Sequence, residues 1–492
     1  MEDTSYATLA KFLLPKVPTI LRAAAAHSLY LSPTSTKWDL QTTLQVTVLR
    51  SMMITDTPSP IGKTQALTLK DPGAKGKLWT APASIPSPKD DGTREAIFKA
   101  IADLGDGNET YTRPENAELP VEWTGFRSEA KTANDTMPEG LTPKERYERL
   151  MADPNRTSDT TILYFHGGAY YLCGFTTHRV PISRLAKACN GRALAVQYRL
   201  APQAAFPSQL IDALNSYLYL LYPPPGSLHD PVPASSIVFA GDSAGGNLSL
   251  ALLQLLLQLH RSNPVPTKPP TVRYNGVDVQ VPLPAGVSGL SAWLDIARSS
   301  PSLIDNAKYD YLPAPKADDA KVAFPKDDIW PTDPPRGDVF CDLSLLDHPL
   351  VSPLVAKDWS GSPPLWLMAG DEMLYDEDAV VAVRAKEQGV TVQWEHYEAM
   401  PHVFSMLLPH LKTSTACYKN WGLFAKGCVE GGVTGKSVKV LAKSGREEQA
   451  DLVTGKEAPF GWEEAVGNVR RAKERRLMGW DKEGKGMPKP SL

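Results

Sequence analysis

Residues 241–245 read Gly241-Asp242-Ser243-Ala244-Gly245, directly after the β-like run SIVFA at 236–240 and directly before a long apolar stretch of helical pattern. A serine held between close glycines at a strand-to-helix turn is lifted clear of the sheet, where its hydroxyl can act as a nucleophile. Glycine is required because side chains there would collide with strand and helix backbone, and the helix N-terminus favours the negative charge that develops in an attack. Upstream, His166-Gly167-Gly168-Ala169 closes the run TILYF at 161–165. Such a loop brings backbone N–H groups against a tetrahedral oxygen. Gly167 and Gly168, joined by Ala244, are therefore the expected oxyanion donors, with the His166 imidazole bracing the loop.

A serine nucleophile needs a base, and the base needs an orienting acid. Of nine histidines, one sits in a late loop after the last β-like run at 391–397, namely His402 in Met400-Pro401-His402-Val403-Phe404. His348, His396 and His410 read instead as turn, strand and helix residues. In a chain order of nucleophile, acid, histidine, the acid follows the run PLWLMA at 364–369. Four carboxylates stand there: Asp371, Glu372, Asp376 and Glu377. Asp376 reads as the N-cap of the next helix. Asp371 and Glu372 could each hydrogen-bond the far nitrogen of His402, and spacing does not choose between them.

The elements that must position these groups alternate. Strand patterns at 161–165, 193–198, 236–240, 285–290, 364–369 and 391–397 are interleaved with helical patterns near 178–190, 207–222, 243–261, 376–389 and 404–423. That alternation predicts an α/β fold, with a mostly parallel sheet covered on both faces and its chemistry in the loops after the strands. Residues 243–260 contain no Asp, Glu, Lys or Arg. Asn247, Gln254, Gln258 and His260 interrupt the stretch, so it reads as a helix buried in a sheet protein rather than a membrane span. Residues 1–50 look helical, with 7–31 amphipathic and broken near Pro15 and Pro18. Residues 51 to about 130 look irregular or antiparallel, 262–284 and 301–353 look like Pro- and Asp-rich insertions, and a helical pattern returns near 461–478.

The 492 residues carry 52 Lys plus Arg against 55 Asp plus Glu, a formal charge of -3, which argues against a nucleic-acid binder. With 42% hydrophobic and 22% charged residues the chain is not a disordered one. Cys173, Cys189, Cys341, Cys417 and Cys428 show no CxxC or metal-type spacing, so ordinary thiols in a reducing, cytoplasmic setting are expected, with no metal. The 44 prolines are unevenly placed: none lies between 237 and 263, but 202–233 holds seven, 264–284 six and 301–353 nine. They stiffen connections and spare the segments that carry the serine and the HGG loop.

Taken together, HGGAYYLCG, QYRLAPQAAFP, GDSAGGNLSLAL, SAWLD, HPLVSPL, MAGDEMLYDE and MPHVF, in that order, resemble the hormone-sensitive-lipase-like (GDXG) branch of the α/β-hydrolases, which includes arylacetamide deacetylase and fungal esterases. The resemblance covers about residues 160–425. It implies an α/β-hydrolase fold and a serine ester hydrolase without cofactor, acting on a small-molecule ester, with no nucleic-acid partner and no integral membrane segment. The family's acid motif lays Glu372 onto the triad position, with Asp371 as the rival. Gln203 stands where relatives usually have a carboxylate near Arg199. A cap is expected from residues 1–50 and from an insertion at about 300–345, the catalytic domain spans 51–428, and 429–492 form a C-terminal extension. Tyr170, Tyr171 and Trp293 are pocket neighbours by motif position, or core residues. Short-acyl or acetyl esters of a hydrophobic alcohol are the expected substrates. The alternatives are a lipase for longer chains, a peptidase, and a non-catalytic receptor like the plant gibberellin receptors, which lack the histidine this chain keeps.

Overall fold

The computed structural model describes residues 14–55, 58–315, 324–452 and 457–481, so the expectations for 1–13, for 316–323 of the cap insertion and for 482–492 lie outside the described residues. Two strands come first, β1 (Leu78–Ile85) and β2 (Leu119–Phe126). The β-branched and aromatic runs of the centre then give β3 (Thr161–Phe165), β4 (Arg192–Val196) and β5 (Ile237–Asp242). A separate hairpin, β6 (Thr271–Tyr274) and β7 (Val277–Gln280), precedes β8 (Gly286–Leu290), β9 (Leu365–Gly370) and β10 (Val392–Tyr397). Last come β11 (Lys436–Val440) and β12 (Glu447–Gln449).

Ten of these strands form one sheet in the order β1-β2-β4-β3-β5-β8-β9-β10-β11-β12. From β4 to β11 every neighbour is parallel, while β1, β2 and β12 pair antiparallel at the margins. Parallel strands leave their carboxyl ends on one side, so the loops carrying Ser243, Glu372 and His402 meet there. The helix Ala244–Arg261 is buried at every residue from Ala244 to Leu257, which explains why that stretch carries no charge. Among the described residues no helix is long and apolar enough to cross a membrane.

Several expectations need correction. The pattern at 404–423 is two helices, Phe404–Leu407 and Lys412–Glu430, because Pro409 cannot continue the first. The insertion at 262–284 is not irregular throughout. Asn275 and Gly276 take φ of 50° and 86°, the turn that an Asn-Gly pair favours between two strands. Three helices of eight or more residues went unread, Ile61–Thr68, Gly92–Leu104 and Pro143–Met151, although Thr142 and Glu145 form a capping box before the last. Within the stretch set apart as a C-terminal extension, β11 adds in parallel to β10 and the helix Trp462–Asp481 follows.

At the N-terminus come helices Val17–Ser28, Leu40–Met53 and Ile61–Thr68, the first packed on the second, and Trp38 and Gln65 reach the loops that follow the strands. Trp38 Nε1 donates to the Ala399 carbonyl at 2.6 Å, and Gln65 Nε2 donates to the carbonyls of Tyr171 and Ala201 at 3.0 and 3.2 Å.

Candidate active site

Ser243 ends the tight turn between β5 and its helix with φ 52° and ψ −120°, a conformation that costs a non-glycine residue on the order of 1–3 kcal/mol and persists only where its surroundings enforce it. The surroundings are backbone. A Cβ at Gly241 would lie 2.2 Å from the Gly245 carbonyl oxygen, and one at Gly245 would lie 1.9 Å from that of Phe165. The Ser243 hydroxyl is left without a hydrogen bond among the described residues.

Asp242 turns inward beneath the serine. Its Oδ1 accepts the Tyr164 hydroxyl at 2.7 Å and the Gly167 N–H at 3.1 Å, and His178 Nε2 lies 3.4 Å away. Burial by itself would raise the Asp242 carboxyl, but His178 and the Tyr164 donor outweigh it and hold the group below its usual range. The Gly167 N–H, expected among the oxyanion donors, is thus spent on tying its loop to the serine turn. The backbone N–H groups of Gly168, Ala169 and Ala244 have no hydrogen bond among the described residues. Gly168 takes φ +114°, and a Cβ there would sit 2.3 Å from the Leu172 carbonyl oxygen, so glycine is required at this position. His166 stacks on Tyr198 with ring centroids 4.2 Å apart, and its Nδ1 lies 2.7 Å from the Gly167 carbonyl. Burial, helped by nearby His178, pushes its pKa down to about 3, so it stays neutral and bracing.

The carboxylates after β9 separate cleanly. Glu372, fully buried, has Oε2 2.5 Å from His402 Nδ1, while Oε1 accepts the Ser291 hydroxyl at 2.5 Å and the Gly370 N–H at 3.0 Å. Asp371 points the other way, with Oδ1 2.6 Å from His396 Nε2 and Oδ2 on the Ala399 N–H at 2.7 Å. Asp376 is not the N-cap. The helix Tyr375–Glu387 is capped at Leu374, and the Asp376 carboxylate accepts the Ser302 N–H from across the cap at 2.8 Å. Burial alone would depress His402, but Glu372, with Asp310 and Asp242 behind it, outweighs this and raises its pKa above the ordinary value. Its Nε2 has no hydrogen bond among the described residues.

Three contributors were missed in the sequence. Ser291, first residue of the SAWLD motif, links three loops: its hydroxyl donates to Glu372 and accepts the Val403 N–H at 3.1 Å, and its own N–H reaches the Met368 carbonyl at 2.7 Å. Asp310 comes from the cap insertion and accepts the N–H groups of Met373 at 2.8 Å and His402 at 3.4 Å. Tyr311 follows it, buried, with its ring centroid 6.2 Å from that of His402. Only the motif position of Ser291 gave a sequence signal. Of the aromatic pocket candidates, Tyr170 is a core residue, stacked on Phe340 at 3.7 Å and donating to Asn247 at 2.7 Å. Tyr171 is half-buried against Phe324, and Trp293 donates its N–H to the Ser243 carbonyl. Gln203 donates to Gln65 of the N-terminal helices at 2.6 Å, and Arg199 keeps a carboxylate partner in Asp212 at 2.6 Å.

Comparison with known proteins converges on the same region. Residues 162–406 match the sequence model of the family described as alpha/beta hydrolase fold. An acetyl-hydrolase of Streptomyces hygroscopicus is 30% identical over 274 residues, 56% of this chain and 77% of that protein. An esterase of Acinetobacter venetianus is 28% identical over 263 residues, 53% of this chain and 72% of that one. Among solved structures, an esterase/lipase from an uncultured bacterium superposes with a TM-score of 0.51 at 20% identity, covering 80% of this chain and all of its own, which bears on the fold.

Proposed function

Because this chain belongs to the hormone-sensitive-lipase-like family of α/β-hydrolases, we propose that it is a serine carboxylic-ester hydrolase acting through an acyl-enzyme on Ser243, with acetyl or other short-acyl esters of a hydrophobic alcohol as its substrates. The observation that carries this reading is the buried Glu372–His402 contact, set beside a serine held in a strained turn. In the proposed cycle the Ser243 oxygen attacks the ester carbonyl carbon while His402 Nε2 takes the hydroxyl proton. Glu372 keeps the proton on Nδ1 and stabilises the imidazolium that forms. The carbonyl oxygen, now anionic, is received by the N–H groups of Gly168, Ala169 and Ala244. His402 then returns its proton to the departing alkoxide, which leaves as the alcohol. A water, deprotonated by the same imidazole, cleaves the acyl-serine and releases the acid. Every step is supplied by protein groups and water.

The preference for short acyl chains is supported by the acetyl-hydrolase among the relatives, since that activity belongs to a protein 30% identical to this one. The test is a panel of p-nitrophenyl esters from acetate to palmitate, with wild type beside Ser243→Ala. Turnover should be highest for acetate or butyrate and fall by at least about 10³-fold in the variant. Undiminished turnover by Ser243→Ala would sink the hydrolase reading, and a maximum at palmitate would replace it by a lipase.

A further inference from the structure

The helix Val17–Ser28 has no buried residue and ends in a turn where Leu29, Tyr30 and Leu31 are 67%, 72% and 74% exposed. Three consecutive large apolar side chains held in water are costly, and in soluble proteins such a run marks a contact surface. The helix packs antiparallel on Leu40–Met53, since Lys16 Nζ donates to the Ser51 carbonyl at 2.6 Å and His27 Nδ1 meets the Thr43 hydroxyl at 2.8 Å. That register places a second exposed apolar group at the hairpin's other end, Leu14 and Leu21 beside Met52, Met53 and Ile54, each between 44% and 65% exposed. A helix of 12 residues separates the two groups by roughly 18 Å. The surface is therefore a long strip, too extended for a single small ligand.

Charge selects among occupants. Residues 14–70 carry six Lys and Arg against two Asp, within a chain whose formal charge is -3. Lys37 is paired with Glu398 and Arg50 is turned onto the Lys308 and Asp310 carbonyls, whereas Arg22 on the hairpin and Lys63 and Lys70 just after it are exposed. A second copy would bring the same exposed cations against these, so like charges would meet. An anionic lipid surface offers both an apolar layer for the leucines and methionines and negative headgroups for the flanking cations. Trp38, in the connection between the two hairpin helices, donates to the Ala399 carbonyl in the loop that leads to His402, so docking through the hairpin would set the candidate active site close to the lipid. We propose that the Val17–Met53 helical hairpin is a peripheral docking surface for anionic membranes, with the Leu29-Tyr30-Leu31 turn entering the interface.

The test is co-sedimentation of the full chain with vesicles of phosphatidylcholine alone and of phosphatidylcholine with about a third phosphatidylserine. Wild type should pellet with the serine-lipid vesicles, less so as salt rises. The triple variant Leu29→Ser, Tyr30→Ser, Leu31→Ser should bind at least ten-fold more weakly, as should Arg22→Glu with Lys63→Glu. Both variants should turn over p-nitrophenyl acetate like wild type, which shows that they are folded. Ser243→Ala should pellet like wild type, so docking and hydrolysis are scored separately. Wild type remaining in the supernatant, or a triple variant that pellets as fully, overturns the docking proposal. A wild-type dimer that the triple variant converts to monomer, with neither bound to vesicles, would overturn it too and assign the strip to a second copy.

Discussion

At the scale of single residues, the two neighbours Asp371 and Glu372 divide two tasks. Consecutive side chains leaving a strand end point to opposite sides, so one carboxylate meets His402 and the other meets His396. Burial would raise Asp371, but His396 outweighs it and holds the carboxyl below its usual range. Under the proposed mechanism, Glu372→Gln should lower kcat by about 10²–10⁴-fold, whereas Asp371→Asn should change it little. A larger loss in Asp371→Asn would overturn the assignment of the acid. The pH profile follows from the same contact. His402 must be neutral to accept a proton, and its pKa is raised, so activity should be lost as pH falls through a value above the ordinary histidine value of about 6.5. Removing the Glu372 charge leaves burial as the largest influence, so in Glu372→Gln the residual acid limb of kcat/KM should move to lower pH. An unmoved limb would show that the carboxylate does not set the titration of the base.

Elements bring in what spacing could not. The cap segment carrying Asp310 is held by Arg50 of the N-terminal helices, whose guanidinium donates to the carbonyls of Lys308 and Asp310 at 2.5 Å. Asp310 in turn fixes the backbone just after Glu372 and at His402 itself. The segment carrying Asp310 therefore holds the backbone on both sides of the Glu372–His402 contact. Misplacing reacting groups by an ångström costs up to about 10²-fold, so Asp310→Asn, which keeps the shape but weakens acceptance of the N–H groups of Tyr311, Leu312, Met373 and His402, should reduce kcat by about 10-fold with KM less affected. A change confined to KM would assign Asp310 to substrate binding instead. Steady-state kinetics on a soluble acetate ester makes the distinction. None of this was readable beforehand, because an aspartate in a proline-rich insertion has no periodicity to place it.

Across the whole molecule, the sheet does not stop at β10. The ladder from Gln393↔Lys436 to Tyr397↔Val440 continues it, and the last helix is anchored by Trp462 on the Leu354 carbonyl at 3.0 Å and by Lys473 and Arg476 paired to Asp347 and Asp338 at 2.6 and 2.7 Å. Val440, Leu452 and Val469 are buried there, each contributing roughly 1.5–3 kcal/mol. A chain ended after Gly431 should lose that burial and bare the β10 edge. At roughly 2–4 °C per kcal/mol, its Tm should fall by about 10 °C or more, with aggregation. An unchanged melting curve would show the C-terminal stretch to be dispensable to the sheet. The sequence by itself determined the α/β class, the six central strands nearly to the residue, and Ser243 and His402 as the candidate pair. Those features depend on local signals: β-branched runs, glycines that no side chain could replace, and chain order. Only the tertiary structure put Glu372, and not Asp371, against His402, gave the Gly167 N–H to Asp242, and brought Asp310, Ser291 and β11 to their places. Each of those depends on which backbone groups meet across distant loops, and local sequence carries no record of such meetings.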